Sequence, residues 1–245
     1  MKIAFISDIH SNFQALSAVF AYLQDEKVDR IYCAGDIVGY CAQPNECVSL
    51  LREEKVISVK GNHDEAILMK EDPDNFSGPA TEAIRWQKEI ITEKNLEYLN
   101  NLQGSLVIEE DSIRMTHGSP DFPEGYHYIL SGDDVSEPFE SFDEQICIVG
   151  HSHKPVAFKQ DKKTRQTEEI SLAVIKIEEG FKYIINIGSV GQPRDRVPKA
   201  CVYIYYSDKK VFARIRLDYD IETAKQKIMG TPLPLILADR LEEGV

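Results

Sequence analysis

Val56-Ile-Ser-Val-Lys-Gly-Asn-His-Asp64 is an apolar segment that stops at a glycine and continues into three polar side chains. Its first five residues are mostly β-branched or apolar, and they predict a short buried strand. We expect Gly61 to let the chain turn sharply after that strand. The amide of Asn62, the imidazole of His63 and the carboxylate of Asp64 then lie together in a loop, where functional side chains concentrate.

The same design recurs at four other places, each a strand-like apolar run that ends in side chains able to bind a metal. The five segments together hold five of the six histidines. In order, their ends carry Asp8 and His10, Asp36, Asn62 and His63, His117, and His151 and His153. Because the carboxyl ends of strands in an α/β sheet converge on one edge, we predict that these residues meet there.

Length and composition predict one domain over residues 1–245, without a linker or an internal repeat. The formal net charge of −13 argues against stable nucleic-acid binding through the phosphates, which needs a basic surface. The five cysteines are odd in number and show no Cys-x-x-Cys spacing, as expected in a reducing cytoplasm. No apolar run approaches the ~20 residues of a membrane span. We therefore predict a cytoplasmic protein without membrane contact.

The N-terminal third alternates strand and helix patterns. Strand patterns at 2–7, 30–34 and 56–60 are separated by helical patterns at 13–23 and 45–54. This β-α-β-α-β order predicts a parallel sheet.

The rest of the chain has a helical pattern first, then strand patterns, and finally two short helical patterns. We predict helices over 65–102 that cover one flank of the sheet, with a break at Asp72-Pro73-Asp74 and with Trp86, Ile90, Leu96 and Leu99 buried. A hairpin over 106–116 leads to His117, and an apolar strand at 146–149 leads to His151. Residues 155–217 have antiparallel strand patterns, and short helices complete the chain over 221–241.

The inventory at the five strand ends is chemically specific. It contains at least four imidazoles, two carboxylates and one amide, but no cysteine. Such mixed nitrogen and oxygen ligands suit Mn²⁺ or Fe, and also Zn²⁺, Co²⁺ or Ni²⁺, better than Ca²⁺ or Mg²⁺ alone. The ligands are too many for one ion and about enough for two. Two ions roughly 3.5–4 Å apart would activate a bridging water and hold the oxygens of a phosphoryl group.

These motifs resemble those of a known superfamily. Asp8-Ile-His10, Gly35-Asp36, Gly61-Asn62-His63-Asp64, His117 and Gly150-His-Ser-His153 resemble, in order, the five motifs of the calcineurin-like metallophosphoesterases. Residues 188–195, Gly-Ser-Val-Gly-Gln-Pro-Arg-Asp, resemble a loop of the compact bacterial and archaeal phosphodiesterase-like branch. The resemblance implies a four-layer α/β/β/α sandwich, in which two mixed β-sheets are flanked by helices.

The resemblance also implies a role for each motif residue. One metal is expected on Asp8, His10, Asp36 and His153. The other is expected on Asp36, Asn62, His117 and His151, so that Asp36 bridges the two ions. His63 is expected to lie outside both ligand sets and either to protonate the leaving oxygen or to stabilise the phosphoryl charge, while Asp64 orients its ring.

One departure from the superfamily concerns phosphate binding. Its phosphoprotein phosphatases continue Gly-Asp-x-x-Asp-Arg, whereas this chain reads Gly35-Asp-Ile-Val-Gly-Tyr40 and lacks that arginine. We expect Arg194 to supply a substitute anion contact, since guanidinium pairs well with phosphate, and a solvated surface charge is the alternative. Gly191 in the same loop is expected to contact substrate, and a tight turn that aligns two strands is the alternative.

The predicted function is hydrolysis of a small or nucleotide-type phosphoester by attack of a metal-bound hydroxide. A scaffold without chemistry is an alternative, but its sign would be degraded motifs, and every ligand position here is competent. A nuclease is disfavoured by the acidic balance. We interpret His127, between Tyr126 and Tyr128, as a loop residue that could touch substrate, and the C-terminal aromatic strands as a surface for a homo-oligomer.

Overall fold

The computed structural model describes residues 1–71 and 76–245, so the predicted break at Asp72-Pro73-Asp74 lies outside the described residues. The strands are β1 (Lys2–Ile6), β2 (Arg30–Cys33), β3 (Ile57–Ser58), β4 (Ser105–Ile108), β5 (Ile113–Thr116), β6 (Ile146–Val149), β7 (Val156–Asp161), β8 (Thr167–Ile170), β9 (Val174–Lys176), β10 (Phe181–Asn186), β11 (Ala200–Tyr206) and β12 (Val211–Leu217). The α-helices are α1 (Phe13–Asp25), α2 (Pro44–Glu53), α3 (Asn62–Ala66), α4 (Gly78–Ile90), α5 (Glu93–Asn100), α6 (Ser136–Glu140), α7 (Ile221–Met229) and α8 (Ile236–Glu243).

The strands form two six-stranded sheets. The first has the order β3-β2-β1-β11-β12-β9 and the second the order β4-β5-β6-β10-β7-β8. In the first sheet β1, β2 and β3 run parallel, which confirms the prediction for the N-terminal third. In the second sheet β5, β6 and β10 run parallel and the remaining pairs are antiparallel. Both sheets are therefore mixed.

The strands between residues 155 and 217 pair with one another in antiparallel fashion, as predicted. They do not form one sheet, however. β7, β8 and β10 extend the second sheet, whereas β9, β11 and β12 extend the first. Strand periodicity specifies which face of a strand is buried, but it does not specify which sheet the strand joins.

The core has the predicted four layers. Along β1, Ile3 and Phe5 pack between the two sheets, and Ala4 and Ile6 pack against the outer helices; all four are fully buried. This alternation follows from the two-residue period of a strand. α1, α2 and α5 cover the first sheet, and α6 covers the second through Phe139. Burying each large side chain contributes about 1.5–3 kcal/mol, which stabilises the arrangement that brings the strand ends together.

The described residues between 62 and 100 include α3, α4 and α5. Leu99 is fully buried, but the expected burial of Ile90 is wrong, since its side chain is 37% exposed. The buried face of α4 carries Ile84 and Gln87, whereas Ile90 is the last residue of the helix, where fewer neighbours cover its side chain. None of the described helices is both long and apolar enough to cross a membrane.

Candidate metal centre

The carboxyl ends of β1, β2, β3, β5 and β6 converge on one edge of the sandwich and bring the predicted residues together. Their side chains form three overlapping groups in which the ligand atoms all lie within 4.8 Å of one another. The groups are Asp8, His10 and His153; Asp36, His117 and His151; and His10, Asp36 and His63.

In the first group, three atoms that can accept a hydrogen bond or bind a metal lie close together: Nε2 of His10, Nε2 of His153 and Oδ1 of Asp8. Nδ1 of His10 lies 3.0 Å from the carbonyl of Val38, and Nδ1 of His153 lies 2.6 Å from that of Gln192. In the neutral rings that bind a metal, each Nδ1–H donates to a backbone carbonyl and each Nε2 atom carries the free lone pair. These two atoms are only 3.0 Å apart, and Oδ1 of Asp8 is 3.2 Å from the second of them.

A bound cation would remove the electrostatic repulsion within this group. Two nitrogen lone pairs and a carboxylate oxygen repel one another, and their burial makes the repulsion stronger. Among the described residues, the buried Oδ1 of Asp8 accepts no hydrogen bond. A metal ion between these atoms would satisfy all three, so the residues present fit the implied metal.

Asp36 links the first group to the second. Its Oδ2 lies 3.2 Å from Nε2 of His117 and 3.6 Å from Nε2 of His10, and its Oδ1 accepts a hydrogen bond of 2.8 Å from the amide of His63. Nε2 of His117 is also 3.1 Å from Oδ1 of Asn62. The predicted bridging residue is thus within reach of both groups.

The electrostatics of the histidines differ. Burial lowers the pKa of His151 to about 3, with His117 contributing, and burial together with Arg194 lowers the pKa of His153 to about 4. Both rings are therefore neutral, which is the form that binds a metal. Burial also disfavours charge on His117, but the carboxylate of Asp36 outweighs it and raises the pKa of His117 to about 9. A proton there occupies the position that a cation would take.

The backbone is strained at these residues. Asp8, His10, Asp36, His151 and His153 all have positive φ angles, between 49° and 68°. This left-handed region costs a residue with a side chain about 1–3 kcal/mol, and it persists only where the surrounding structure holds it. Such strain clusters at functional sites, where it aims side chains that regular structure would point elsewhere.

Gly61 has a different role from the expected one. Its φ of −96° and ψ of 174° are open to any residue, so no special turn requires a glycine. Instead, a Cβ atom at this position would lie 2.1 Å from Oδ1 and 2.3 Å from the backbone nitrogen of Asp36. The glycine is required by the close approach of two backbone segments.

His63 is buried and is oriented by packing. Its ring lies 4.8 Å from that of His10, 4.7 Å from that of Tyr40 and 4.5 Å from that of Phe76. Its Nδ1 has no hydrogen-bond partner among residues 1–71 and 76–245. Burial lowers the pKa of His63 well below its usual value.

Asp64 therefore does not make the contact with the His63 ring that we expected. Its Oδ1 accepts hydrogen bonds from the amides of Ile37 and Val38, and its Oδ2 accepts one from the amide of Gly61. These bonds tie the loop after β2 to the start of α3. The carboxylate holds the loops that carry the site rather than the ring of His63.

A cleft of about 710 Å³ opens above these residues. Its floor includes Asp36, Asn62, His151 and His153. Sequence reasoning did not assign several of its wall residues: Tyr40, Phe76, Tyr126, Tyr128 and Arg240. The density of aromatic residues around position 126 was the available signal for two of them. The volume lies within the ~300–1,000 Å³ that is typical of small-molecule sites.

Two loop predictions have different outcomes. Arg194 lines the cleft, and its Nη2 donates hydrogen bonds of 3.0 Å to Oη of Tyr40 and to Oε1 of Gln192. Gly191 is buried and does not line the cleft. Its amide donates to the carbonyl of Asp8, and a Cβ there would lie 1.8 Å from the carbonyl oxygen of Ile9. We therefore assign Gly191 to loop packing rather than to substrate contact.

His127 is exposed and packs edge-on against Phe122 at 5.7 Å. The residues on either side of it, Tyr126 and Tyr128, line the cleft instead. Tyr128 stacks on His151, with ring centroids 3.9 Å apart. The interpretation of His127 as a loop residue agrees with this placement.

Comparison with known proteins gives a consistent result. The model of the calcineurin-like phosphoesterase superfamily domain matches residues 1–209. An uncharacterized protein of Methanocaldococcus jannaschii is 40% identical, over 99% of this chain and 98% of that protein. The crystal structure of a metallophosphoesterase from Sphaerobacter thermophilus has 35% identity and a TM-score of 0.87, over 100% of this chain and 99% of that one. A hypothetical protein from Pyrococcus horikoshii shares the fold, with 20% identity and a TM-score of 0.80, over 100% and 98% of the two chains.

The cluster of histidines and carboxylates at the strand ends, the two-sheet sandwich and the extent of these matches lead to the same conclusion. The chain belongs to the calcineurin-like phosphoesterase superfamily.

Proposed function

We propose that the protein is a metal-dependent phosphoester hydrolase that holds two ions and acts on a small or nucleotide-type phosphoester. The observation that carries the proposal is the position of Asp36, whose Oδ2 faces His117 on one side and His10 on the other. A carboxylate shared between two ligand groups is the expected bridge of a two-metal site.

The proposed ligands follow the two groups. Asp8, His10, Asp36 and His153 would hold one ion, and Asp36, Asn62, His117 and His151 the other. When bound, the ions would activate a water molecule and stabilise the charge of the phosphoryl group. Mn²⁺ and Fe suit this donor set best, because it mixes imidazoles, carboxylates and an amide without thiolates.

His63 is the proposed acid for the leaving oxygen. It lines the cleft beside the ligands, and its ring is fixed by three neighbouring rings. Burial disfavours its charged form, but an anionic phosphoryl group next to the ring would offset that penalty and favour imidazolium in the complex. The proton would then pass from the ring to the departing alcohol oxygen.

Arg194 is the proposed phosphate contact. This role is supported by the hydrogen bond from its guanidinium to Tyr40. Tyr40 aligns with the arginine of the phosphoprotein phosphatases, so Arg194 brings a guanidinium to the same place. Arg240 adds a second cation to the cleft wall. The size of the cleft favours a small substrate over a folded protein. A single domain in the cytoplasm, without a membrane or nucleic-acid partner, remains our prediction.

The proposal is tested with purified protein supplied with Mn²⁺. We expect hydrolysis of bis-p-nitrophenyl phosphate or p-nitrophenyl phosphate, abolished by a chelator and restored by added Mn²⁺. Asp36→Asn should abolish turnover. Asp208→Asn changes an exposed aspartate that does not line the cleft, and it should leave turnover unchanged. Protein that leaves both esters intact would refute the proposal.

A further inference from the structure

Gln87 connects the helical flank to the metal centre. It lies on the buried face of α4, and its side chain is fully buried. Its Oε1 accepts a hydrogen bond of 2.8 Å from the amide of Gly39. Its Nε2 donates to the carbonyl of Cys41 at 2.6 Å and to Oγ of Ser11 at 3.1 Å. The side-chain amide therefore binds the residue before Tyr40 and the residue after it.

The segment that Gln87 holds is strained. Gly39 has a φ of 99° and Tyr40 a φ of 50°, so two successive residues adopt left-handed conformations. A tyrosine in this region persists only where other interactions hold it there. Asp64 fixes the beginning of the same loop through Ile37 and Val38. Gln87 fixes its end.

This segment packs against the ring of His63. It forms one wall of the space that holds the ring, which we call the His63 pocket. A Cβ atom on Gly39 would lie 2.3 Å from Nδ1 of His63, so the backbone itself presses against the ring. The Tyr40 ring packs 4.7 Å from the His63 ring, and its hydroxyl accepts a hydrogen bond from Arg194. With no hydrogen bond to Nδ1 among the described residues, the orientation of His63 depends on these packing contacts.

We propose that Gln87 is a positioning residue for the reaction: by holding Gly39 and Tyr40 in place, it orients His63 toward the leaving oxygen. This inference rests on the proposed acid role of His63. Gln87 makes no hydrogen bond to a proposed metal ligand itself: its partners are Gly39, Cys41 and Ser11. The amide and Nδ1 of His10 bond instead to the carbonyls of Asp36 and Val38.

The alternative is that Gln87 only stabilises the fold. The two roles differ in how the effect depends on the leaving group. A poor leaving group such as phenolate needs a proton in the transition state, whereas p-nitrophenolate needs it much less. Loss of a positioning residue should therefore slow a phenyl ester more than a p-nitrophenyl ester. Loss of stability should slow both equally.

The experiment compares Gln87→Met with the unmodified protein, and both proteins are loaded with Mn²⁺. Each is assayed on methyl phenyl phosphate and on methyl p-nitrophenyl phosphate. We expect kcat to fall at least roughly tenfold more on the phenyl ester, a part of the 10²–10⁴ that acid catalysis contributes. Metal content should be unchanged. In a His63→Ala background, Gln87→Met should change kcat by less than about twofold, because residues that act as a unit are not additive.

The matched control is Gln160→Met, which removes a buried glutamine from β7, where it bonds Thr167 and Arg165. It should not change the ratio between the two esters. Gln87→Glu keeps an acceptor for the amide of Gly39 but loses the donors to Cys41 and Ser11. If the methionine variant does not fold, the same comparison is made with Gln87→Glu. It should show the same leaving-group dependence.

Equal losses on both esters, or loss of the metals, would overturn the assignment of Gln87. A further loss in the His63→Ala background would overturn it as well. If His63→Ala itself shows no leaving-group dependence, the proposed acid role fails instead. The two failures are therefore distinguishable.

Discussion

Replacement of Gly61 by alanine tests the close approach of two backbone segments at the candidate metal centre. The new methyl group would lie 2.1 Å from Oδ1 and 2.3 Å from the backbone nitrogen of Asp36. No flexible side chain can move out of the way, because Oδ1 is itself held by the amide of His63. The φ of Gly61 is −96°, so the backbone conformation adds no strain of its own. The whole effect must come from the overlap.

The magnitude follows from that geometry. Overpacking costs about 1–3 kcal/mol when side chains can adjust, and more when they cannot, so we expect a loss of about 3 kcal/mol or more. For a protein of this size, 3 kcal/mol lowers Tm by about 6–12 °C. Displacement of Asp36 should also reduce the occupancy of both metal sites, since its Oδ2 faces both ligand groups.

The assay combines thermal unfolding with metal analysis. Gly78→Ala is the matched control, because a Cβ there meets nothing within 4 Å and the residue begins α4. That substitution should change stability by no more than about 1 kcal/mol. The reasoning is wrong if Gly61→Ala keeps both ions and unfolds at the temperature of the unmodified protein.

Other substitutions and metal removal test the remaining assignments. Asp36→Asn should reduce metal content at both sites, and full occupancy at either contradicts the bridge. Asp64→Asn should cost about 1–3 kcal/mol by leaving the Gly61 amide unpaired, and it should slow phenyl and p-nitrophenyl esters equally. Arg194→Gln should raise KM about tenfold or more with metal content unchanged, whereas an unchanged KM excludes phosphate contact. Chelation should lower Tm, since an ion at 100 times its Kd contributes about 2.7 kcal/mol.

Much of the candidate metal centre was predictable because its proposed ligands follow strand ends. Asp8, Asp36 and His117 each follow an apolar run, and parallel strands place their ends on one edge. The same reasoning correctly grouped residues that lie more than a hundred positions apart. It worked because the apolar runs and the polar residues that end them are both local features of the sequence.

Two of the predictions that differ from the structure concern contacts between loops. The expected Asp64–His63 pair was inferred from neighbouring positions, yet Asp64 turns toward the amides of Ile37 and Val38. Gly191 was expected at the substrate, yet it packs against Ile9. Local spacing does not report which backbone amides of a distant loop lie within reach of a side chain. That depends on how the loops pack.

The stretch from Val56 to Asp64 shows which features are local to the sequence and which depend on tertiary packing. Its apolar residues, glycine and polar residues determined by themselves that a strand ends in a cluster of ligands. Only the tertiary structure decided that Gly61 is needed for the approach of Asp36, and that Gln87 from α4 holds the wall of the His63 pocket. The physical reason is that strand and ligand patterns arise from short-range periodicity. Close backbone approaches and buried hydrogen bonds arise between segments far apart in sequence, and they exist only once the two sheets and their helices have packed.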